Sequence, residues 1–242
     1  MALDGACRTT TTHHCFGETM TAAAQFLATH HFETAIFDFD GTIALSGKIW
    51  HEIDSIFCKR RGLTWTPELA NHIAALGLNK GAIYMVERFN LNEKPADIVA
   101  EWTEQATQMY TSRLTLRKGV ESYLAQLHSA GIHTALATSN NPEVIESLEP
   151  RVAIHSLFDQ IVYTQQVGKS KHYPDIYVHT AQACDTDPNN CIVFEDIVPA
   201  LNSAKQAGCT TVGVFSDDPI QDVKEIQDAS DCFLYDWQDL LI

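Results

Sequence analysis

The chain reads as an α/β protein: a parallel sheet with helices on both faces, plus a helical domain inserted after the first strand. Three observations carry that reading. Short apolar runs recur along the chain with helical stretches between them, the alternation that a parallel sheet requires. The first run, Thr34–Phe39, ends in acid, as a buried strand does where it leaves the core. The alternation then lapses from about Ser46 to Arg117, where the pattern is helical throughout.

Taken in order, residues 1–32 form an N-terminal arm and a short helix. Residues 1–17 are polar, Thr-rich and aperiodic, and read as a loose arm. His13 and His14 stand there without Asp or Glu partners and do not make a metal site. Met20 to His31 is a short helix, and Met20 is an alternative start. Strands are expected at Thr34–Phe39, Ile132–Ala137, Gln160–Tyr163, Cys191–Phe194 and Thr210–Phe215. The helices between them are Gly119–Ala130, Pro142–Leu148, Pro174–Cys184 and Pro199–Ala207, with Gly131 and Gly208 as stop signals. The insertion divides into Ile49–Arg60, Pro67–Leu76, Lys80–Phe89 and Ala96–Arg113, punctuated by Gly62, Gly77 and Pro95. This gives a core of residues 33–45 and 118–242, and a helical cap of residues 46–117.

Composition narrows the function. A chain of 242 residues with 45% hydrophobic and 19% charged residues is a globular protein. The net charge of −15 argues against a nucleic-acid or anionic-membrane surface, since both need basic patches. A small anion is still admissible, because a few placed cations and a metal ion reverse the field inside one cleft. The seven cysteines are scattered, with no CxxC pair, so neither a disulfide framework nor a zinc site is expected. No apolar run approaches the ~18 residues of a membrane span, and the N-terminus lacks the order of a signal peptide. A reduced, cytoplasmic protein is expected.

Ligands of an open parallel sheet bind beyond the carboxyl ends of its strands, so those residues decide the chemistry. Strand one ends Asp38-Phe39-Asp40-Gly41-Thr42. Alternation points Asp38 and Asp40 the same way and Phe39 into the core. Two carboxylates so close repel unless a cation is shared or one is protonated. They read as Mg²⁺ ligands, or as a nucleophile with an acid/base partner. Strand two ends Thr138-Ser139-Asn140 before the helix opened by Pro142, a hydroxyl and free N–H groups suited to an anion. Strand three leads to Lys169, Lys171 and Tyr173-Pro174-Asp175, where a lysine can neutralise phosphate. Strand four ends in a second acidic pair, Glu195-Asp196.

Four such ends in this order strongly resemble the haloacid dehalogenase superfamily, in its branch with a helical cap. The resemblance covers roughly Thr34 to Asp217. It includes the complete motif Asp38, Asp40, Gly41, Thr42; a strand-end Thr138; Lys171 ahead of Pro174-Asp175, where Lys169 is wrongly spaced; and Glu195-Asp196. Ile197 and Ala200 depart from the usual small residues after the second acidic pair.

The resemblance implies a Rossmann-like core and a Mg²⁺-dependent phosphomonoester hydrolase acting on a small phosphorylated metabolite. In that scheme Asp38 is the nucleophile and Asp40 the acid/base. Mg²⁺ would be held by Asp38, the Asp40 carbonyl and Asp196, with Glu195 acting through water. Thr42, Thr138, Ser139 and Lys171 would bind phosphate. A sugar-phosphate mutase of the same fold is the alternative, although such mutases usually carry Asp where Leu45 stands. A non-enzymatic phosphoacceptor is disfavoured because it places its acidic pair and its phosphoacceptor on different strands and lacks so long a helical insertion, and a binding protein because no motif residue is missing. On the cap, Lys80 is the candidate substrate contact, with Trp50, His51 and Arg88 behind it.

Overall fold

The computed structural model describes residues 20–241 except 217 and 219. Residues 1–19, with His13 and His14, lie outside the described residues. After helix α1 (Ala22–Thr29), capped by the Thr21 side chain on the Ala24 N–H, comes strand β1 (Thr34–Phe37). Helices α2 (Gly47–Arg60), α3 (Pro67–Leu76), α4 (Leu78–Phe89) and α5 (Pro95–Arg113) follow without a strand between them. The chain then alternates through α6 (Val120–Ser129), β2 (His133–Thr138) and α7 (Pro142–Glu146). Two single turns, α8 (Glu149–Val152) and α9 (Ile154–Leu157), lead to β3 (Gln160–Tyr163) and α10 (Thr164–Val167). The last part runs α11 (Asp175–Ala183), β4 (Cys191–Glu195), α12 (Val198–Ala207), β5 (Thr210–Val214), α13 (Val223–Ala229) and β6 (Cys232–Leu234).

The six strands lie in the order β3-β2-β1-β4-β5-β6, and every neighbouring pair is parallel. β1 is central, with Ile36 opposite Ala135 on one side and Val193 on the other. The strand order reverses between β1 and β4, which makes the crevice beyond their carboxyl ends the place where a ligand can enter. Alternation divides the core. Ile36, Ala135 and Val193 pack against Ile176, Tyr177 and Ala204 of α11 and α12. Phe37, Leu136 and Phe194 face the other way, toward Tyr123 of α6 and Trp237 near the C-terminus. Every residue of β1 and β4 is buried, the apolar runs Ala35–Phe37 and Cys191–Phe194 together with Thr34 and Glu195 at their ends.

The helical insertion leaves and rejoins the core through one short ribbon. Ala44 bridges Leu116 in antiparallel fashion, the Leu45 N–H donates to the Thr115 carbonyl at 3.0 Å, and Arg117 N–H donates to the Ile43 carbonyl at 2.8 Å. Local chemistry sets the helix ends. Thr66 caps the Leu69 N–H ahead of Pro67, and Asn90 closes α4 in the left-handed conformation. Inside, Ile53, Phe57, Met85, Ile98 and Trp102 are buried, and Arg61 ties α2 to Glu93 and Glu101, each at 2.6 Å.

Two stretches differ from the sequence expectation. The helix at Pro142 stops at Glu146, and the chain continues through two single turns parted at Ala153, where φ is 48°. β6 and α13 were not expected. β6 has three residues, too few for a visible period, and it forms by pairing Val212–Val214 of β5. Cys58, Cys184, Cys191 and Cys209 are buried and unpaired, the behaviour of small hydrophobes. No helix among the described residues is long and apolar enough to cross a membrane.

Candidate active site

The site is built at the carboxyl ends of β1 and β4. The Asp38 N–H continues the ladder onto the Phe194 carbonyl at 3.0 Å, which fixes the start of the first acidic loop against the end of β4. Asp38 and Asp40 both line one cleft, while Phe39 between them is fully buried. Gly41 then turns with φ of +79°, and a Cβ there would lie 2.0 Å from Asp196 Oδ2. Glycine is therefore required twice, for the backbone conformation and for the closeness of Asp196.

Lys171 reaches the centre from the loop ahead of α11. Its ammonium donates to Asp38 Oδ1 and Glu195 Oε1, each at 2.5 Å, and the side chain is only 2% exposed. Burial alone would lower its pKa, but the charges of Asp38 and Glu195 outweigh this and raise it, so the lysine stays charged. The Tyr177 hydroxyl donates to Glu195 Oε1 at 2.9 Å, and the Ser203 hydroxyl donates to the Lys171 carbonyl at 2.6 Å. Glu195 Oε2 accepts the Asp196 N–H at 3.1 Å, so both Glu195 oxygens are engaged within the protein. The other lysine, Lys169, is at the surface and pairs with Asp175 at 3.1 Å.

Asp38, Glu195 and Asp196 bring one carboxylate oxygen each to within 4.8 Å of one another, and all three residues are buried. Burial, reinforced by the charges of Asp38 and Glu195, raises the Asp196 carboxyl well above the usual carboxylate range. A centre of this kind, three hard oxygen donors against one ammonium, is short of positive charge, and a divalent cation suits it. The Gly41 cradle against Asp196 Oδ2 points the same way.

Asp40 has different company. Its Oδ1 accepts the indole N–H of Trp50 at 3.0 Å and the Tyr110 hydroxyl, both from the helical insertion. Its Oδ2 accepts the Asn140 amide at 2.5 Å. Burial, then the neighbouring charge of Asp38, pushes the Asp40 carboxyl up to about 6, against hydrogen bonds from Tyr110, Ser46 and Trp50 that pull it down. A carboxyl held there can both give and take a proton near neutrality.

The structure brings Asp38, Asp40, Ser139, Lys171, Glu195 and Asp196 to one cleft and leaves three predicted residues off its wall. The Thr42 hydroxyl is fully buried and directed at Asp196 Oδ1, 3.4 Å away, rather than at the cleft. The Thr138 hydroxyl accepts the Asn140 N–H at 3.1 Å, as an Asx-like turn closing the strand end. Lys80 does not reach the cleft. Its ammonium donates to the Gly168 carbonyl at 3.0 Å, joining the insertion to the loop after α10. Of the other candidates Trp50 and His51 line the cleft, whereas Arg88 lies over the Phe89 ring. Tyr110, Asn140 and Tyr177 were missed. Only Asn140 had a signal, its place at a strand end; Tyr110 stands 70 residues from its partner Asp40.

A doubly wound parallel sheet, with a lysine-braced carboxylate centre at its switch point and helices closing over it, is an α/β fold whose ligand site lies in that crevice. The sequence profile of the haloacid dehalogenase-like hydrolases matches residues 35–214. The chain belongs to that family. It is 30% identical over 181 residues to hexitol phosphatase A of Escherichia coli, covering 74% of this chain and 81% of the relative. It is 27% identical over 177 residues to a phosphorylated carbohydrates phosphatase of Thermotoga maritima, covering 73% and 82%. The fold matches that of CbbY from Rhodobacter sphaeroides, solved with phosphate, with a TM-score of 0.74 at 24% identity over 86% of this chain and 96% of the other. A β-phosphoglucomutase from Clostridium difficile gives 0.73 at 19% identity, over 86% and 93%.

Proposed function

We propose that this protein is a Mg²⁺-dependent phosphomonoester hydrolase acting on a small phosphorylated metabolite through an aspartyl-phosphate on Asp38. The observation that carries the reading is the pairing of two unlike acids in one cleft. Asp38 is held by the lysine, and Asp40 is raised to about 6 by burial and the Asp38 charge, against hydrogen bonds from its neutral donors. A carboxylate paired with a buried ammonium is suited to attack, and one poised near neutrality is suited to proton transfer.

In the first step the Asp38 carboxylate oxygen bonds to phosphorus as the ester P–O bond breaks, and Asp40 gives its proton to the departing alkoxide oxygen. In the second step Asp40 takes a proton from the water that attacks the same phosphorus, and Asp38 is released with inorganic phosphate. Lys171 and the Ser139 end of β2 offset charge on the phosphoryl oxygens. Asp38 and Asp196, with the Asp40 carbonyl, are the groups that would hold Mg²⁺; Glu195, engaged with Lys171 and Tyr177, would act through water. The ion supplies positive charge to the transferring phosphoryl group. Lys80 is assigned a positioning role, as a tie between cap and core. The named activities of the E. coli and T. maritima relatives support the phosphatase reading.

The test is release of inorganic phosphate from a panel of phosphomonoesters. Release with Mg²⁺, its loss in EDTA and its return on adding Mg²⁺ are expected, with Ca²⁺ supporting little because its looser shell misplaces the nucleophile. Full activity in EDTA, or no release from any ester, overturns the reading.

A further inference from the structure

The last carbonyls of a helix have no partner within it, and in the cap helix α5 two of them are satisfied by the core. The Arg151 guanidinium, presented by the single turn α8, donates to the Thr111 carbonyl at 2.9 Å and to the Leu114 carbonyl. That turn is itself anchored, with Leu148 and Ile154 on either side fully buried and the Arg151 N–H donating to the Leu148 carbonyl at 2.8 Å. Tyr110 stands in the same last turn of α5. Its carbonyl accepts the Leu114 N–H at 3.3 Å, its side chain is fully buried beside Phe39, and its hydroxyl donates to Asp40 Oδ1. Farther up the helix, Asn141 at the start of α7 donates to the Thr103 hydroxyl at 2.9 Å. The core therefore holds α5 at two levels, and the lower tie grips the turn that carries Tyr110.

We propose that Arg151 is a positioning residue for the acid/base: by fastening the last turn of α5 to the core, it sets the Tyr110 hydroxyl against Asp40. The inference rests on the phosphatase reading and extends it to a residue that does not line the cleft. A guanidinium is a rigid fork of donors, so it can bind two carbonyls of one turn and fix the direction of that turn as well as its place. Its positive charge also complements the negative end of the helix. Without it the Thr111 and Leu114 carbonyls lose a partner, and a helix end so freed frays. Small displacements of groups that orient reacting atoms are costly to rate, even when their cause lies far from the chemistry. The helix's own basic residue in this turn does not supply the tie. Arg113 turns to Glu52 of α2 at 2.5 Å, and so joins cap to cap. Arg151 is exposed, so its replacement opens no cavity in the core, and an effect on rate can be told apart from a loss of packing.

The test is a double-mutant cycle in the full chain with Mg²⁺. It is read as kcat/KM, which reports the first phosphoryl transfer, on p-nitrophenyl phosphate and on the alkyl ester of the panel that turns over fastest. Arg151→Ala should lower kcat/KM about fivefold on the alkyl ester, whose leaving oxygen needs the Asp40 proton, and less than about twofold on p-nitrophenyl phosphate. Tyr110→Phe should cost about tenfold on the alkyl ester, and the double variant should cost no more, against the roughly fiftyfold of independent effects. Arg151→Lys, which keeps the charge but not the fork, should recover about half of the Arg151→Ala loss. Arg113→Ala removes a cation from the same turn without touching the core tie, and should change either rate by less than about twofold. Arg151→Gln carries the same cycle if the melting curve of Arg151→Ala departs from that of the parent. An unchanged rate in the folded variant, equal losses on the two esters, or losses that multiply in the double variant overturns the inference alone. Failure of the parent enzyme to release phosphate from every ester, p-nitrophenyl phosphate included, overturns the phosphatase reading and this inference with it.

Discussion

The reaction centre and the cap wall of one cleft are held together in opposite ways. In the centre, Asp38, Lys171, Glu195 and Tyr177 satisfy one another at 2.5–2.9 Å; Asp38 and Glu195 stand at strand ends, Lys171 in the loop ahead of α11 and Tyr177 on α11. On the wall, burial pushes the Asp54 carboxyl up to about 7 against a hydrogen bond from Trp65, and the buried Trp102 N–H has no partner among the described residues. A charged centre must be paired in advance, because isolated buried charges are too costly to keep. The two regions meet at Asp40, a core residue whose Oδ1 is bound by Trp50 and Tyr110 of the cap.

Substitutions can sharpen or break this division. The largest effect is expected at the centre. Asp38→Asn should lower kcat by about ten-thousandfold or more on every ester, because an amide does not attack phosphorus, while the near-identical shape preserves the fold. Near-normal phosphate release by the purified variant would remove Asp38 from the chemistry.

Asp40→Asn comes next, with a kcat loss of about a hundred- to ten-thousandfold on a sugar phosphate and KM little changed. The loss should be smaller for p-nitrophenyl phosphate, whose leaving group needs no proton. Equal losses on both esters would show that Asp40 does not protonate the leaving oxygen.

Tyr110→Phe tests the meeting point of the two regions. An acid raised to about 6 holds its proton below that pH and loses it as pH rises through it. The Tyr110 hydrogen bond opposes that rise, so its removal should raise the Asp40 pKa further. The alkaline limb of the pH–rate profile should then move to higher pH, while kcat at its optimum falls by about tenfold as Asp40 loses a positioning contact. A lower kcat with an unmoved limb would mean that Tyr110 only supports the packing.

The smallest effect is expected at Lys80. Because its ammonium binds the Gly168 carbonyl and not the cleft, Lys80→Ala should change KM by less than about threefold, and by the same factor across substrates. A large change confined to one leaving group would return Lys80 to the substrate.

The cap helices were legible in the sequence with almost no error. Thr66-Pro67, Gly77 and Pro95 are local signals, and the observed α3 begins at Pro67 just as its capping pattern requires. The five longer strands were legible for the same reason. β6 was not, since three residues hold no period and its formation depends on an already assembled β5. Within the site, the acids could be read because each pair stands where an apolar run stops, and Lys171 by its spacing ahead of Pro174-Asp175. Two hydroxyls and the cap lysine lie off the cleft wall in the structure. Thr42 and Thr138 occupy expected positions, yet their side chains turn to Asp196 and to the Asn140 N–H. A short hydroxyl takes whatever partner its backbone brings near.

The sequence by itself determined the sheet, the insertion point and the carboxylate–lysine centre, because all three follow from local apolar runs and from what terminates them. Tertiary structure alone decided which cap residues touch Asp40, where Lys80 goes and what charge the far wall presents. Those outcomes join residues as distant in the chain as Asp40 and Tyr110, or Asn140 and Asp40. They depend on how helices dock over a strand edge, and no window of sequence contains both sides of that contact.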